Sequence, residues 1–203
     1  MVDTSYPDST ICLKVQPSDL ALFYPLLQTG VVVRCRVGIS LADFLTETLE
    51  LPGSYVESRI STIFLNGSPV DDIESALISD GAAVALSSAM PGLVGATMRR
   101  KGFYSALRGT ITHVSGDREI VTGTGSVRLK LFNLVMTDIG PAVLKRGFLL
   151  ETAELGEFLS DLREDFFMRV PAARLNDSSV EPRALKKLCI AITTRLTELT
   201  LCT

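Results

Sequence analysis

The basic side chains that stand closest together in this sequence are the residues most able to bind a charged ligand. Arg99, Arg100, Lys101 and Arg108 lie within the glycine-containing stretch 95–109, beside an adjacent Phe-Tyr pair. Glycine before a helix start, with cations nearby, suits a phosphate or another anion, and the aromatic rings could stack a base. The alternative is a positively charged connector whose aromatic side chains anchor it to the core. We favour the connector because no GxxxxGK[ST] or GxGxxG pattern accompanies the cluster.

Cysteine and histidine offer little further chemistry. The four cysteines, Cys12, Cys35, Cys189 and Cys202, are far apart in sequence and form no CxxC pair. They are expected to be reduced, mostly buried thiols of a cytoplasmic protein. His113, the only histidine, has no cysteine or carboxylate motif at metal-ligand spacing and is interpreted as structural or surface-exposed. We therefore expect no metal, no cofactor and no enzymatic activity.

Composition narrows the classes of partner. Hydrophobic residues make up 46% of the 203 residues, and the mean hydropathy is +0.31. The longest apolar runs are far shorter than the ~18 to 20 residues that span a bilayer, so neither a membrane span nor a secretory signal is predicted. The net charge of −3 makes nucleic acid an unlikely partner. The high apolar content favours an interface between domains or subunits, and homodimerisation is a hypothesis.

The first half of the sequence predicts four strands and a helix. Alternating apolar residues indicate strands at Ile11–Val15 and Val31–Val37. Ser40 is a candidate N-cap for a helix with an apolar stripe at 41–49. Two further strands are expected at Ile60–Leu65, which precedes an Asn-Gly turn signal, and at Ala82–Met90, which follows an Asp-Gly turn signal. In the last strand the alanines leave one face unusually small-sided, which allows close approach by another element.

The order strand, strand, helix, strand, strand is that of a β-grasp domain. Leu65-Asn66-Gly67 with Val70, then Asp80–Leu86, then Met90-Pro91-Gly92 together resemble the ubiquitin-like sulfur-carrier superfamily. That superfamily includes the small subunit of molybdopterin synthase and the thiamine-pathway sulfur carrier. An "NG…V" turn, a "DGD-V-A" turn and a terminal Gly-Gly recur there in the same order. The resemblance implies a β-grasp, ubiquitin-like domain at residues 1–95.

The same resemblance raises a difficulty for carrier chemistry. Sulfur carriers use a free C-terminal glycine carboxylate, which is adenylated and then converted to a thiocarboxylate. Gly92 and Gly95 stand in the place of the terminal glycines, but they are not adjacent and the chain continues for more than a hundred residues. The chemistry would therefore require cleavage after Gly92 or Gly95. The interpretation we favour is a retained fold without the carrier chemistry.

The second half is predicted to be a mainly helical domain at 110–203, joined by the connector 96–109. A small hairpin is expected around the turn Ser115–Arg118. The segment 127–136 fits both a strand and a helix, and the helix is favoured. Helices are also expected from Thr152 and over 182–199. The predicted class of the whole chain is α+β.

Three functions remain open at this point. The leading hypothesis is a non-catalytic β-grasp protein that acts through contacts with a protein partner. The first alternative is a sulfur-carrier precursor matured by cleavage. The second is a nucleotide-binding or anion-binding protein that uses the basic junction.

Overall fold

The computed structural model describes residues 7–88, 90–108, 111–113, 122–187 and 196–203. Their class is α+β, as predicted. The strands are β1 (Ser9–Lys14), β2 (Val31–Val37), β3 (Thr62–Leu65), β4 (Ser68–Pro69), β5 (Ala82–Ser87), β6 (Gly123–Phe132), β7 (Phe148–Glu151), β8 (Ala172–Leu175), β9 (Ser178–Val180) and β10 (Leu196–Cys202). The α-helices are α1 (Tyr24–Thr29), α2 (Leu41–Asp43), α3 (Gly53–Arg59), α4 (Gly92–Met98), α5 (Asn133–Arg146), α6 (Thr152–Asp161) and α7 (Glu164–Arg169). A π-helical turn, Phe44–Thr48, continues α2, and 3-10 helices occur at Pro17–Phe23, Phe103–Arg108 and Pro182–Ala184.

The chain divides into two compact units. The central unit is Leu26–Gly140, and the terminal unit combines Met1–Pro25 with Pro141–Thr203. These boundaries differ from the predicted ones at residues 95 and 109. The residues predicted as a connector lie inside the central unit, and the first strand belongs to the terminal unit. Among the described residues, no helix combines the length and apolar character needed to cross a bilayer.

The strands of the central unit follow the order β4-β3-β5-β6-β2. Strand β6 is antiparallel to β2 and parallel to β5, and β5 is antiparallel to β3. The predicted helix at 127–136 is therefore wrong for its first half: the chain is a strand up to Phe132, and helix α5 begins at Asn133. Val127, Leu129 and Leu131 are fully buried, which is the period-2 pattern of a strand whose backbone pairs on both sides.

The predicted helix start at Ser40 is confirmed. The Ser40 hydroxyl oxygen accepts a hydrogen bond from the Asp43 backbone N–H at 3.0 Å, and the hydroxyl donates to the Asp43 carboxylate at 2.8 Å. The cap satisfies a backbone donor that the first turn leaves unpaired. The helix buries Leu41, Phe44 and Leu45 completely, so its apolar stripe contributes to the core of the central unit.

The strands of the terminal unit follow the order β7-β10-β1-β8-β9. Strand β1 is parallel to β10 and antiparallel to β8, and β10 is antiparallel to β7. A β-grasp domain that contains β1 as its first strand is thus not confirmed for residues 1–95, because β1 pairs with the last strand of the chain rather than with β2. The core of this unit contains Phe23, whose ring centroid lies 5.4 Å from that of Phe158 and 5.8 Å from that of Phe166.

The prediction of a mainly helical domain at 110–203 is not confirmed. Five of the strands, β6 to β10, lie in this part of the chain. Over the predicted helix at 182–199, the described residues comprise the 3-10 turn Pro182–Ala184, helical residues 185–187 and the start of β10. Residues 188–195 lie outside the described residues. Leu199 and Leu201 are fully buried two residues apart, and pairing with β1 and β7 selects the strand over the helix. The predicted hairpin turn also lies outside the described residues.

The two units repeat one strand arrangement. In each, a parallel central pair is flanked by an antiparallel strand on one side and an antiparallel hairpin on the other. Both hairpins turn at an asparagine with positive φ, 52° at Asn66 and 53° at Asn176. The Asn66 side-chain oxygen accepts from the Ala83 backbone N–H at 2.8 Å, and that of Asn176 accepts from the Thr10 N–H at 2.9 Å. The two asparagines therefore play the same part in the two sheets.

Candidate functional site

Arg108, one of the four predicted anion-binding residues, is buried in the central unit. Its guanidinium donates to the Thr97 carbonyl at 2.6 Å, to the Thr112 hydroxyl at 3.0 Å and to the Asp71 carboxylate at 2.7 Å. The side chain is 2% exposed. Because its donors are engaged by neighbouring residues, Arg108 fixes the backbone of the segment in which it lies and is not exposed to a free anion.

Arg100 is also buried, but far less well paired. Its Nη2 donates to the Val56 carbonyl at 3.1 Å, and the same atom lies 4.0 Å from a Glu57 carboxylate oxygen. Its Nε and Nη1 are buried without a hydrogen-bond partner. Burial lowers the pKa of Arg100, against the opposing effect of the Glu57 and Asp71 carboxylates. A buried guanidinium with unpaired N–H groups is costly.

The two remaining cations, Arg99 and Lys101, are exposed. Lys101 Nζ lies 3.5 Å from the Glu57 carboxylate. Lys101 and Arg100 meet at a cleft of about 320 Å³. The residues that line this cleft are Glu57, Asp71, Asp72, Ile73, Glu74, Arg100 and Lys101.

Carboxylates outnumber cations in this cleft, four to two. Hydrogen bonds from Ser75 and from the Glu74 backbone N–H lower the pKa of Asp72. The structure therefore brings two of the four predicted cations to the lining of one cleft. It buries Arg108 behind this lining, paired with Asp71, and leaves Arg99 outside. The excess of negative charge does not favour a phosphate in the cleft.

The two glycines predicted to replace a carrier terminus lie in helix α4. Gly92 is its first residue, with φ of 73°, and Gly95 is buried within it. A Cβ atom at Gly95 would collide with the Met90 backbone carbonyl. The Gly95 carbonyl also accepts a hydrogen bond from the Arg99 N–H at 3.1 Å. Both positions are thus part of a packed element rather than a flexible tail.

Exposed apolar side chains concentrate on the same part of the central unit. The exposed fractions are 72% for Leu93, 60% for Val94, 92% for Phe103, 42% for Tyr104 and 49% for Ile111. We call these five residues the apolar junction surface. They account for five of the nine large apolar residues that are exposed among those described. The prediction that the aromatic pair anchors a connector to the core is wrong for Phe103.

Four of the five residues of the apolar junction surface lie on helix α4 and on the 3-10 helix Phe103–Arg108, which pack against each other, and Ile111 lies in a turn beyond the 3-10 helix. The Phe103 and Tyr104 rings meet edge to face, with their centroids 5.1 Å apart. The aromatic pair was recognised from the sequence, whereas the exposure of Leu93, Val94 and Ile111 was not predicted. For Leu93 and Val94 the sequence contains one signal, since the pair stands between two glycines. A helix with so few apolar residues has no second apolar turn that could pack into a core.

The small-sided face belongs to a strand in the middle of the strand order of the central unit. Strand β5 is paired on both edges, with β3 and with β6. Ala83 and Ala85 are half-buried, and Ala89 lies outside the described residues. The alanine side chains of this strand are therefore less exposed to a partner than the side chains of the apolar junction surface.

Within the described residues, no group of three or more histidine, cysteine, aspartate or glutamate side chains is arranged to hold a metal ion. Comparison with protein-family models, with curated proteins and with solved structures finds no match to this chain.

Proposed function

We propose that this protein is a non-catalytic binding module that docks onto a partner protein through the apolar junction surface. The observation that carries the proposal is the exposure of five large apolar side chains on a segment held in place by buried Arg108. A surface that is apolar, and whose backbone is fixed before binding, loses little conformational entropy when a partner covers it.

The composition of the surface suits a protein partner. Aromatic residues and arginine are enriched at the centres of protein interfaces, and Phe103, Tyr104 and the neighbouring Arg99 provide both. Burying an exposed aliphatic or aromatic side chain contributes roughly 1.5–3 kcal/mol. Leu93 and Phe103 are the most exposed members of the set, so they are expected to contribute most to docking.

The strand order of the central unit supports a β-grasp assignment, with one change of connectivity. In β-grasp domains the first strand lies in the middle of the sheet, antiparallel to the second strand and parallel to the last. Here β6 occupies that position, antiparallel to β2 and parallel to β5. We propose that the central unit is a β-grasp, ubiquitin-like module whose central strand comes after the other strands in sequence.

The sulfur-carrier precursor remains a second proposal with less support. Cleavage after Gly92 or Gly95 would cut helix α4 and remove β6 from its place between β5 and β2. Intact-mass spectrometry of the protein from its native cells tests this proposal, since only a species that ends at Gly92 or Gly95 would support it.

The anion-binding proposal has the least support, because carboxylates dominate the cleft that holds Arg100 and Lys101. Thermal-shift measurements with nucleotides and inorganic phosphate test it. Stabilisation that rises with ligand concentration and is lost in the Lys101→Ala variant would support this function over docking.

The docking proposal is tested by quantitative co-purification from the native cells. The double variant Leu93→Asp, Phe103→Asp introduces charge into the apolar junction surface, and Met168→Asp is the matched control, since Met168 is 67% exposed in the terminal unit. We expect a partner protein recovered with the wild type and the control, and at least ten-fold less of it with the double variant. Retention of every associated protein by a folded double variant would refute the proposal. Light scattering of the purified protein separates a second copy of this chain from a different partner.

A further inference from the structure

Two cysteines that are 190 residues apart in sequence are neighbours in the terminal unit. Cys12 lies in β1 and Cys202 is the last residue of β10, and these two strands are parallel partners. The register pairs Cys12 with Thr200 and Lys14 with Cys202, so the cysteines are diagonal neighbours on the same sheet. Their sulfur atoms are 3.2 Å apart. A disulfide bond of ~2.05 Å requires the sulfur atoms to move ~1.2 Å closer. Because diagonal neighbours on paired strands have Cα atoms ~7–8 Å apart, closing the bond also requires a shift of the backbone at the end of β10.

The pair is also accessible to reagents. Cys202 is exposed and Cys12 is half-buried, whereas Cys35 is buried in the central unit. The expectation that the cysteines are mostly buried is thus wrong for Cys202. Cys189 lies outside the described residues. Exposure of one thiol and proximity of the second are the two requirements for disulfide formation by exchange.

We propose that Cys12 and Cys202 form a thiol-modification site, which a small disulfide of the glutathione class oxidises to an intramolecular disulfide. The exposed Cys202 thiolate attacks the small disulfide, forms a mixed disulfide and releases one thiolate. The Cys12 thiolate then attacks the Cys202 sulfur, and the second thiolate leaves. The protein dithiol gives up two electrons, the small disulfide is reduced to two thiols, and these take up the two protons.

The electrostatic surroundings fit this order of events. Burial and the neighbouring Cys202 raise the pKa of Cys12, while Arg174 lowers it. Arg174 lies opposite Cys12 on β8, the other neighbour of β1. Cys12 is half-buried whereas Cys202 is exposed, so Cys12 is suited to the second step, after the mixed disulfide has formed at Cys202.

Oxidation would link the first and last strands of the terminal unit. In the chain-entropy account, a disulfide that closes a loop of this length lowers the unfolding equilibrium constant on the order of ten-thousand-fold. The site would thus make the stability of the terminal unit depend on the redox state of its surroundings.

The test uses the full chain, reduced and then incubated with glutathione disulfide. We expect a mass loss of ~2 Da from two thiol hydrogens, and a peptide map that joins Cys12 to Cys202. In the Cys12→Ser variant the reaction should stop at a glutathione adduct on Cys202, and the Cys202→Ser variant should form no internal link. Cys35→Ser is the matched control and should behave as the wild type.

A second measurement does not depend on the variants. The wild type is oxidised once in buffer, where it is folded, and once in urea at a concentration that unfolds it. The rate at which the internal disulfide forms is then compared between the two conditions. Native strand pairing should accelerate the Cys12–Cys202 link at least ten-fold. A persistent glutathione adduct on native wild type, a link that uses Cys35 or Cys189 instead, or equal rates in buffer and urea would overturn the proposal.

Discussion

Replacing Arg108 with methionine should destabilise the protein far more than the same replacement at Arg100, although both arginines are buried in the same segment. Methionine keeps most of the apolar stem and removes the guanidinium. Arg108 loses hydrogen bonds at 2.6, 2.7 and 3.0 Å and leaves Asp71 without its ion-pair partner. Breaking a buried pair costs about 3–5 kcal/mol. The Asp71 side chain is 33% exposed and can be partly solvated, so we expect about 3 kcal/mol.

The balance is different at Arg100. Its guanidinium makes one hydrogen bond, to Val56 at 3.1 Å, and a 4.0 Å ion contact with a glutamate whose side chain is 57% exposed. Two of its nitrogens are buried and unpaired, and each unsatisfied group costs about 1–3 kcal/mol in the folded state. Removing the guanidinium removes this penalty together with the weak contacts. We expect the unfolding free energy to change by less than about 1 kcal/mol, in either direction.

Urea unfolding followed by circular dichroism measures both effects, with matched slopes as the check that the unfolding transition is unchanged. Arg36→Met is the control for loss of a surface ion pair, because Arg36 and Glu47 are 71% and 53% exposed. Its cost should be below about 1 kcal/mol. An equal loss at positions 100 and 108 would refute the reasoning, since it would mean that the unpaired Arg100 nitrogens find partners such as a buried water. A negligible loss at Arg108 would refute the structural role assigned to it.

Two further predictions concern packing and pH. Gly95→Ala should destabilise the protein by about 1–3 kcal/mol in urea unfolding, because the added carbon meets the Met90 backbone; the control Gly53→Ala, with open space around it, should be neutral or stabilising. Burial is the largest cause, and the hydrogen bond to Asp138 the second, of a rise in the pKa of Tyr55 to about 12. The free energy of unfolding should therefore fall as pH rises from about 10 to 12, because the unfolded chain loses the tyrosine proton at the lower pH. Asp138→Asn should lower the pH of this tyrosine's ionisation, seen by ultraviolet absorbance, and an unchanged titration would contradict the assignment.

Local signals in the sequence predicted several elements correctly. Ser40 begins a helix because a hydroxyl can cap the first turn without help from the rest of the fold. The Asn-Gly turn after Leu65 joins β3 and β4 because its residues adopt positive φ at little cost. The α+β class followed from the alternation of periods 2 and 3.6 along the chain. Each of these depends only on neighbours in sequence.

The candidate site was predicted only in part, and for a physical reason. The sequence places four cations together, but it cannot tell that Arg108 meets Asp71, 37 residues earlier. It cannot tell either that Glu57 of helix α3 and the carboxylates of residues 71–74 line the same cleft as Arg100. Charge clustering in sequence indicates charge clustering in space only when no distant residue of opposite sign folds against it.

The sequence by itself determined the type of several local elements, the cap at Ser40 and the turn at Asn66, and the absence of the short motifs that known phosphate sites require. The tertiary structure alone decided which strands pair: β1 with β10 rather than with β2, and residues 127–132 as part of a central strand rather than a helix. The reason is that strand pairing satisfies backbone groups through partners far away in sequence. The same pairing brings Cys12 to Cys202, and no spacing rule within the sequence contains that contact.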